Sequence, residues 1–341
     1  ECLDHMGRAC DLLGQTREAE ALLARALRLM PTAAQAWHSQ GRIHAKRNRH
    51  VAAEASLRRA VALQPNFPEA LNNLGGALLG QGRSAEARTP YIRAIALRPS
   101  SPDPWNNRGN ALHGIGDTAA AQEHFRRALV LNPSHPIAYG NLAESLRSLA
   151  CSPADYGTVE RLCRRALTVE PEHLAALNVL SVMCLDLRRL DEAETGFRRI
   201  LESDPNNPSA RFNLSLVLLK TGRLREAWDY YEARWDVGEI PVPKAPGTLW
   251  NGEPLKGRTI LLHAEQGHGD VLHFVRYAPL VVQRGGQVRL AVHSGLRRLM
   301  ARIPGLLSVH NLYDPLPVTD LHCPLLSLPR AFRTGLDDIP A

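Results

Sequence analysis

The chain has 341 residues, 44% hydrophobic and 5% aromatic, with a formal net charge of +7. That length exceeds one ordinary core, so two or more units, or a solenoid, are expected. The basic side chains are almost all arginine, lysine occurring only as Lys46, Lys220, Lys244 and Lys256, and they are interspersed with Glu and Asp. This argues against a nucleic-acid partner and for solvated helix faces.

The chain opens at Glu1 inside a helical pattern, so its first repeat is expected to be truncated. From there prolines mark a period. Pro31, Pro65, Pro99 and Pro133 are spaced by 34, Pro171 comes after 38, and Pro205 after another 34. Each is expected just past a helix, where a residue without an N–H stops it. Small residues recur in phase at Gly7, Gly41, Gly75, Gly109, Ala143, Ser181 and Ser215, where two helices must approach closely. Others recur at Ala19, Ala53, Ala87, Ala121, Ala193 and Ala227, and at Ala26, Ala60, Ala94, Ala128 and Ala166. Large residues (Trp37, Leu71, Trp105, Tyr139, Leu177; Tyr91, Phe125, Phe197, Tyr231) fill the gaps, and Gly14, Gly82, Gly116 and Gly222 fall at the turns between helices. These residues closely resemble the tetratricopeptide repeat, whose period is 34. The resemblance implies an α-solenoid of seven helical hairpins over residues 1–240.

The fifth unit carries four extra residues in the stretch 151–157, expected to lengthen its inter-helix turn, and has Val159 in place of alanine. The last unit ends in an aromatic run, Trp228-Asp229-Tyr230-Tyr231-Glu232-Ala233-Arg234-Trp235, suited to docking on the next segment of the chain. On the face lined by first helices, Asn73, Asn107, Asn141 and Asn213 occupy equivalent places, with Ser39 and Val179 at two others. An amide both donates and accepts, so such a row can pair with the backbone of an extended peptide. The same asparagines can equally serve local packing. The row resembles the asparagine ladder of protein O-GlcNAc transferases, which implies a protein or extended-peptide partner on the concave face.

Residues 241–257 read as a stiff linker that begins Pro-Val-Pro-Lys-Ala-Pro-Gly. Beyond it, Ile260–His263 reads as a buried strand, 265–270 as a glycine-containing turn, 271–283 as a helix, 288–292 as a strand, 296–303 as a helix and 306–309 as a strand. Such alternation predicts a parallel sheet. The turn is neither GxGxxG nor a Walker motif, so nucleotide binding by those motifs is not expected. His263, His268 and His273 span strand, loop and helix without an accompanying Cys or carboxylate cluster, and no metal is expected there. The six cysteines form no CxxC pair, which fits free thiols in a reducing, cytoplasmic compartment. No run of 18 apolar residues is present, so no integral membrane segment is expected.

The stretch Gly267-His268-Gly269-Asp270-Val271-Leu272-His273-Phe274-Val275-Arg276-Tyr277 resembles the first half of heptosyltransferase-like glycosyltransferases of the two-Rossmann-domain type. The resemblance implies a partial Rossmann-like domain over 258–341, with Asp270 as the base for an acceptor hydroxyl. Glu265, Gly267, Gly269 and Arg276 would then contact a sugar or phosphate. Residue by residue, Asp270 can instead cap its helix, and Glu265 and Arg276 can pair with each other. Only about 85 residues lie beyond Arg258. The sugar nucleotide of a full-length parent would therefore find no donor domain here, no cofactor is expected in this chain, and the chain alone is expected not to transfer sugar.

Overall fold

A computed structural model describes residues 15–150, 152–238 and 245–341, together with 6, 9 and 10. Gly7, Gly14, Cys151 and the 241–244 part of the expected linker lie outside the described residues. The chain divides into two compact units, Glu1–Leu180 and Ser181–Ala341.

In the first unit α1 (Thr16–Leu29) precedes four helical hairpins: α2 (Ala34–Lys46) with α3 (His50–Leu63), α4 (Pro68–Leu79) with α5 (Ser84–Leu97), α6 (Pro102–His113) with α7 (Thr118–Leu131), and α8 (Pro136–Arg147) with α9 (Pro153–Val169). Each period-marking proline lies two residues past the end of a second helix. Its carbonyl is reused: Trp37 Nε1 donates to Pro31 O at 2.9 Å, Trp105 Nε1 to Pro99 O at 3.0 Å, and the Tyr139 hydroxyl to Pro133 O at 3.2 Å. An aromatic residue in these first helices thereby clamps the connection between units.

The phased small residues do what close packing requires. Ala19, Ala53, Ala87 and Ala121 are fully buried, and a Cβ at Gly75 or Gly109 would lie 2.5 Å from the ring of Tyr91 or Phe125. The turn glycines Gly82 and Gly116 have φ of 73° and 84°, the left-handed region where Cβ is penalised. In the fifth unit the extra residues lengthen the second helix rather than chiefly the turn: α9 has 17 residues where α7 has 14. The cause is local. Ser152 Oγ accepts from the Asp155 N–H and Asp155 Oδ2 accepts from the Ser152 N–H, a capping box that starts the helix early, with Pro153 at its first position.

Helix α10 (Leu174–Asp186) carries the chain from one unit into the next. The second unit continues with α11 (Leu190–Ser203), α12 (Pro208–Lys220), α13 (Leu224–Tyr231) and a 3-10 turn, Glu232–Trp235. Five parallel strands come next: β1 (Thr248–Leu249), β2 (Thr259–His263), β3 (Gln287–Val292), β4 (Leu306–Asn311) and β5 (Leu321–Pro324), in the order β1-β5-β2-β3-β4. Short helices lie between or after them: α14 (His268–Phe274), α15 (Ala278–Gln283), α16 (Arg297–Met300) and α17 (Leu328–Phe332). The core gathers Ile260 and Leu262, Val288, Leu290 and Val292, Cys323 and the helix residues Val271, Val281 and Leu328. Alternate residues of β2, β3 and β5 point to this side, as a period of two dictates.

Part of the expected linker belongs to this core. Trp250 and Leu255 are buried in it, and Thr248–Leu249 pairs with β5. The last repeat also docks within the same unit. Trp228 Nε1 donates to Thr334 O at 2.9 Å, Arg330 Nε to Asp229 Oδ1 at 2.8 Å, and Arg225 pairs with Asp338.

Candidate functional site

Two places gather chemistry. On the first-helix face of the repeats, the Asn73 amide lies 2.8 Å from His38 Nε2; Asn107 Nδ2 donates to Asn72 Oδ1 at 3.1 Å, and Asn141 Nδ2 to Asn106 Oδ1 at 2.9 Å. Asn106 Nδ2 in turn donates to Asn107 Oδ1 at 3.2 Å. Asn73, Asn107 and Asn141 therefore each reach back to the preceding unit, and the amides form a relay along the stacked first helices. Spacing alone does not single out Asn72 and Asn106, although the doublets Asn72-Asn73 and Asn106-Asn107 are visible in the sequence. The half-buried Asn73 and Asn141 have no hydrogen-bond partner for Oδ1 among the described residues, so each amide is held at one end and open at the other. A cavity of about 300 Å³ lies beside Asn72 and Asn73, edged by Arg42, Glu69 and Arg98. Asn213, on α12 of the second unit, is half-buried, while Ser39 and Val179 are buried.

The second place is the carboxyl edge of the sheet. From β2 the chain runs outward to β3 and β4, then returns to put β5 on the other side of β2. The carboxyl ends of β2 and β5 thus flank the switch in strand order, where open α/β sheets receive ligands. Glu265, in the loop after β2, stands there with a fully buried side chain. Its partner is Arg234, not Arg276. Arg234 Nε donates to Glu265 Oε1 at 3.2 Å and Nη2 to Oε2 at 3.1 Å. Nη2 also reaches Ser327 Oγ at 2.8 Å and Nη1 reaches Glu232 Oε1 at 2.8 Å. The guanidinium lies 4.8 Å from the Tyr231 ring centroid and 4.3 Å from that of Trp235.

Burial works against the Arg234 charge, but Glu265 and Glu232 outweigh it and hold its pKa above the ordinary value. Burial pushes the Glu265 carboxyl up to about 7, with Arg234 pulling the other way. The folded state therefore binds a proton at Glu265 that the unfolded state releases near 4.5. Its contribution to stability falls as pH rises from about 4.5 to about 7. Glu265→Gln is expected to flatten that part of the stability–pH curve, measured by urea unfolding at a series of pH values.

Of the remaining glycosyltransferase-like positions, Gly267 is the N-cap of α14, and Asp270 is the third residue of that helix, half-buried, with no side-chain cap bond at the helix start. The capping alternative for Asp270 is thus not realised: residues 268 and 269 are already helical, which leaves Gly267 as the cap. A Cβ at Gly269 would meet nothing within 4 Å. Arg276 donates through Nε to His273 O at 2.8 Å and through Nη1 to Pro340 O at 3.1 Å, so it does not form the expected pair with Glu265. The three histidines separate: His263 meets His322 at 3.2 Å, His268 stacks on His293 at 4.6 Å, and His273 packs edge-on against Phe274. Among the described residues no group of three or more His, Cys, Asp or Glu side chains is placed to hold a metal ion. Nor is any helix among them long and apolar enough to cross a membrane.

Stacked two-helix units of this period define a helical-repeat binding protein. Tetratricopeptide repeat models match residues 13–68, 52–103, 102–135, 159–208 and 185–234, together more than half of the chain, and the chain belongs to the tetratricopeptide repeat family. It is 27% identical over 167 residues to Protein FlbA of Caulobacter vibrioides, a match that takes in 46% of this chain and 28% of FlbA. The chain thus spans well under two thirds of that relative. Among solved structures, it is similar to the APC/C hetero-tetramer Cut9–Hcn1 (TM-score 0.61, 16% identity, covering 68% of this chain and 45% of that one). It is also similar to Pseudomonas aeruginosa PilF (0.52, 21%, covering 62% and 94%) and to the type IV pilus biogenesis factor PilW (0.54, 21%, covering 62% and 97%). At these identities the likeness is one of fold.

Proposed function

We propose that the chain is a protein-binding arm whose asparagine-bearing face holds an extended peptide segment, and that it serves as the substrate-presenting part of a glycosyltransferase. The observation that carries the binding half is the amide relay. Asn73 and Asn141 are each oriented by a bond to the preceding unit, so their open Oδ1 atoms are held ready rather than ordered on binding. The transferase half rests on the Gly267–Tyr277 stretch and on a parallel strand order of the Rossmann-like kind, with Asp270 near the strand-order switch. Asp270 would act as base, and Gly267, Gly269 and Arg276 would contact a sugar or phosphate. The sugar nucleotide would belong to the full-length protein.

A non-catalytic scaffold is the second reading, favoured by one observation. Both Glu265 oxygens are occupied by Arg234, so at the strand-order switch this carboxylate is committed to the chain's own arginine. One experiment addresses both readings. Partner proteins are captured from lysate on the wild-type chain and on a variant with Asn73, Asn107 and Asn141 all changed to Ala, and captured partners are weighed by mass spectrometry. At least a tenfold loss of capture by the variant is expected from three lost amide contacts at about 0.5–1.5 kcal/mol each. Hexose-sized additions on captured partners would support the transferase reading. Equal capture by both chains would sink the asparagine face.

A further inference from the structure

Beside the Arg234 network the second unit has a cavity of about 380 Å³, walled by α13 on one side and by the carboxyl end of β1 and α17 on the other. We propose that it binds a small hydroxyl-bearing phosphate ester. This rests on the second unit alone and stands or falls independently of peptide binding by the repeats.

Three arginines line the cavity: Arg225, Arg330 and Arg333. Two already have carboxylates, Arg225 with Asp338 and Arg330 with Asp229. Both pairs have substantially exposed side chains, and such pairs contribute little net stability, so an incoming anion can take over part of their bonding at small cost. Arg333 is exposed, and its guanidinium has no hydrogen-bond or ion-pair partner among the described residues. Of the three arginines, only Arg333 has no carboxylate partner among the described residues, and a phosphate would give it one in the planar, bidentate form that guanidinium groups match.

The rest of the wall suits a polyol. Glu232 accepts from Ser327 Oγ and Arg234 Nη1 and still presents a partly exposed carboxylate. Asn251 and Asp229 add further acceptors, and Trp228 and Leu249 supply apolar wall. Hydroxyl groups on the ligand body would donate to these acceptors. The volume is of the size that small-molecule sites use.

Arg333 also permits a clean test. It ends α17 in the left-handed region at φ 52°, where glycine is the unstrained residue. Arg333→Gly removes the guanidinium while relaxing the backbone, so folding and binding should part company. Isothermal titration of the whole chain with ribose 5-phosphate, ribose and inorganic phosphate is expected to show binding of the first, weaker binding of phosphate and none of ribose. Arg333→Gly should weaken ribose 5-phosphate by at least about tenfold with an unchanged or higher melting temperature. Arg330→Gln should weaken it as well. No heat from ribose 5-phosphate with the wild-type chain, or equal affinity in both variants, would overturn the site. Equal affinity for inorganic phosphate and ribose 5-phosphate would overturn the hydroxyl contacts.

Discussion

Replacing Arg234 by alanine is expected to destabilise the second unit by about 3–5 kcal/mol, the range for removing one partner of a buried ion pair. The guanidinium is fully buried and makes hydrogen bonds to Glu265, Glu232 and Ser327. Its loss leaves the Glu265 carboxylate buried with no counter-charge. Glu265 can escape by taking a proton, which its raised pKa already favours, so the penalty should be smaller at about pH 5 than at about pH 8. Urea unfolding at the two pH values measures the difference. The pair is not an efficient source of stability in itself. Arg234→Met combined with Glu265→Leu should therefore recover much of the loss, because well-packed apolar residues replace buried ions at little cost. Equal penalties for Arg234→Ala and for the double variant would show that packing against Tyr231 and Trp235, not charge, governs the site.

The second large effect separates two adjacent glycines on α4. Gly75→Ala is expected to cost about 1–3 kcal/mol, because the added methyl would sit 2.5 Å from the ring of Tyr91, itself fully buried and unable to withdraw. Gly76→Ala is expected to stabilise by up to about 1 kcal/mol, since a helix interior favours alanine over glycine. The nearest neighbour of the added methyl would be the Tyr91 hydroxyl at 3.9 Å. Thermal unfolding of the two variants should move the midpoint in opposite directions. A shift of the same sign in both would mean that helix propensity, not inter-helix distance, sets the role of the phased position.

The difference between Gly75 and Gly76 is legible in the sequence, because only Gly75 recurs with Gly41 and Gly109 at the repeat period. The same holds for the buried alanines and for the left-handed turn glycines Gly82 and Gly116. The sheet is less completely legible. β2, β3 and β4 announce themselves as short apolar runs, whereas β1 has two residues and β5 four, too few to show a period. The extra residues of the fifth unit are visible as a count, but whether they enlarge turn or helix depends on the Ser152–Asp155 capping box.

Sequence by itself determined the repeat: helices packed against their chain neighbours are specified by local spacing, since small and large residues meet at fixed offsets within 34 positions. Tertiary structure decided the chemistry. Glu265 finds Arg234, 31 residues away on the last repeat, and not Arg276 on the nearer side in sequence. Sequence distance says nothing about which charge will be desolvated beside which. A buried carboxylate must take the guanidinium that packing brings within 3.2 Å, and only the docking of the last repeat's 3-10 turn at the sheet's carboxyl edge brings it there.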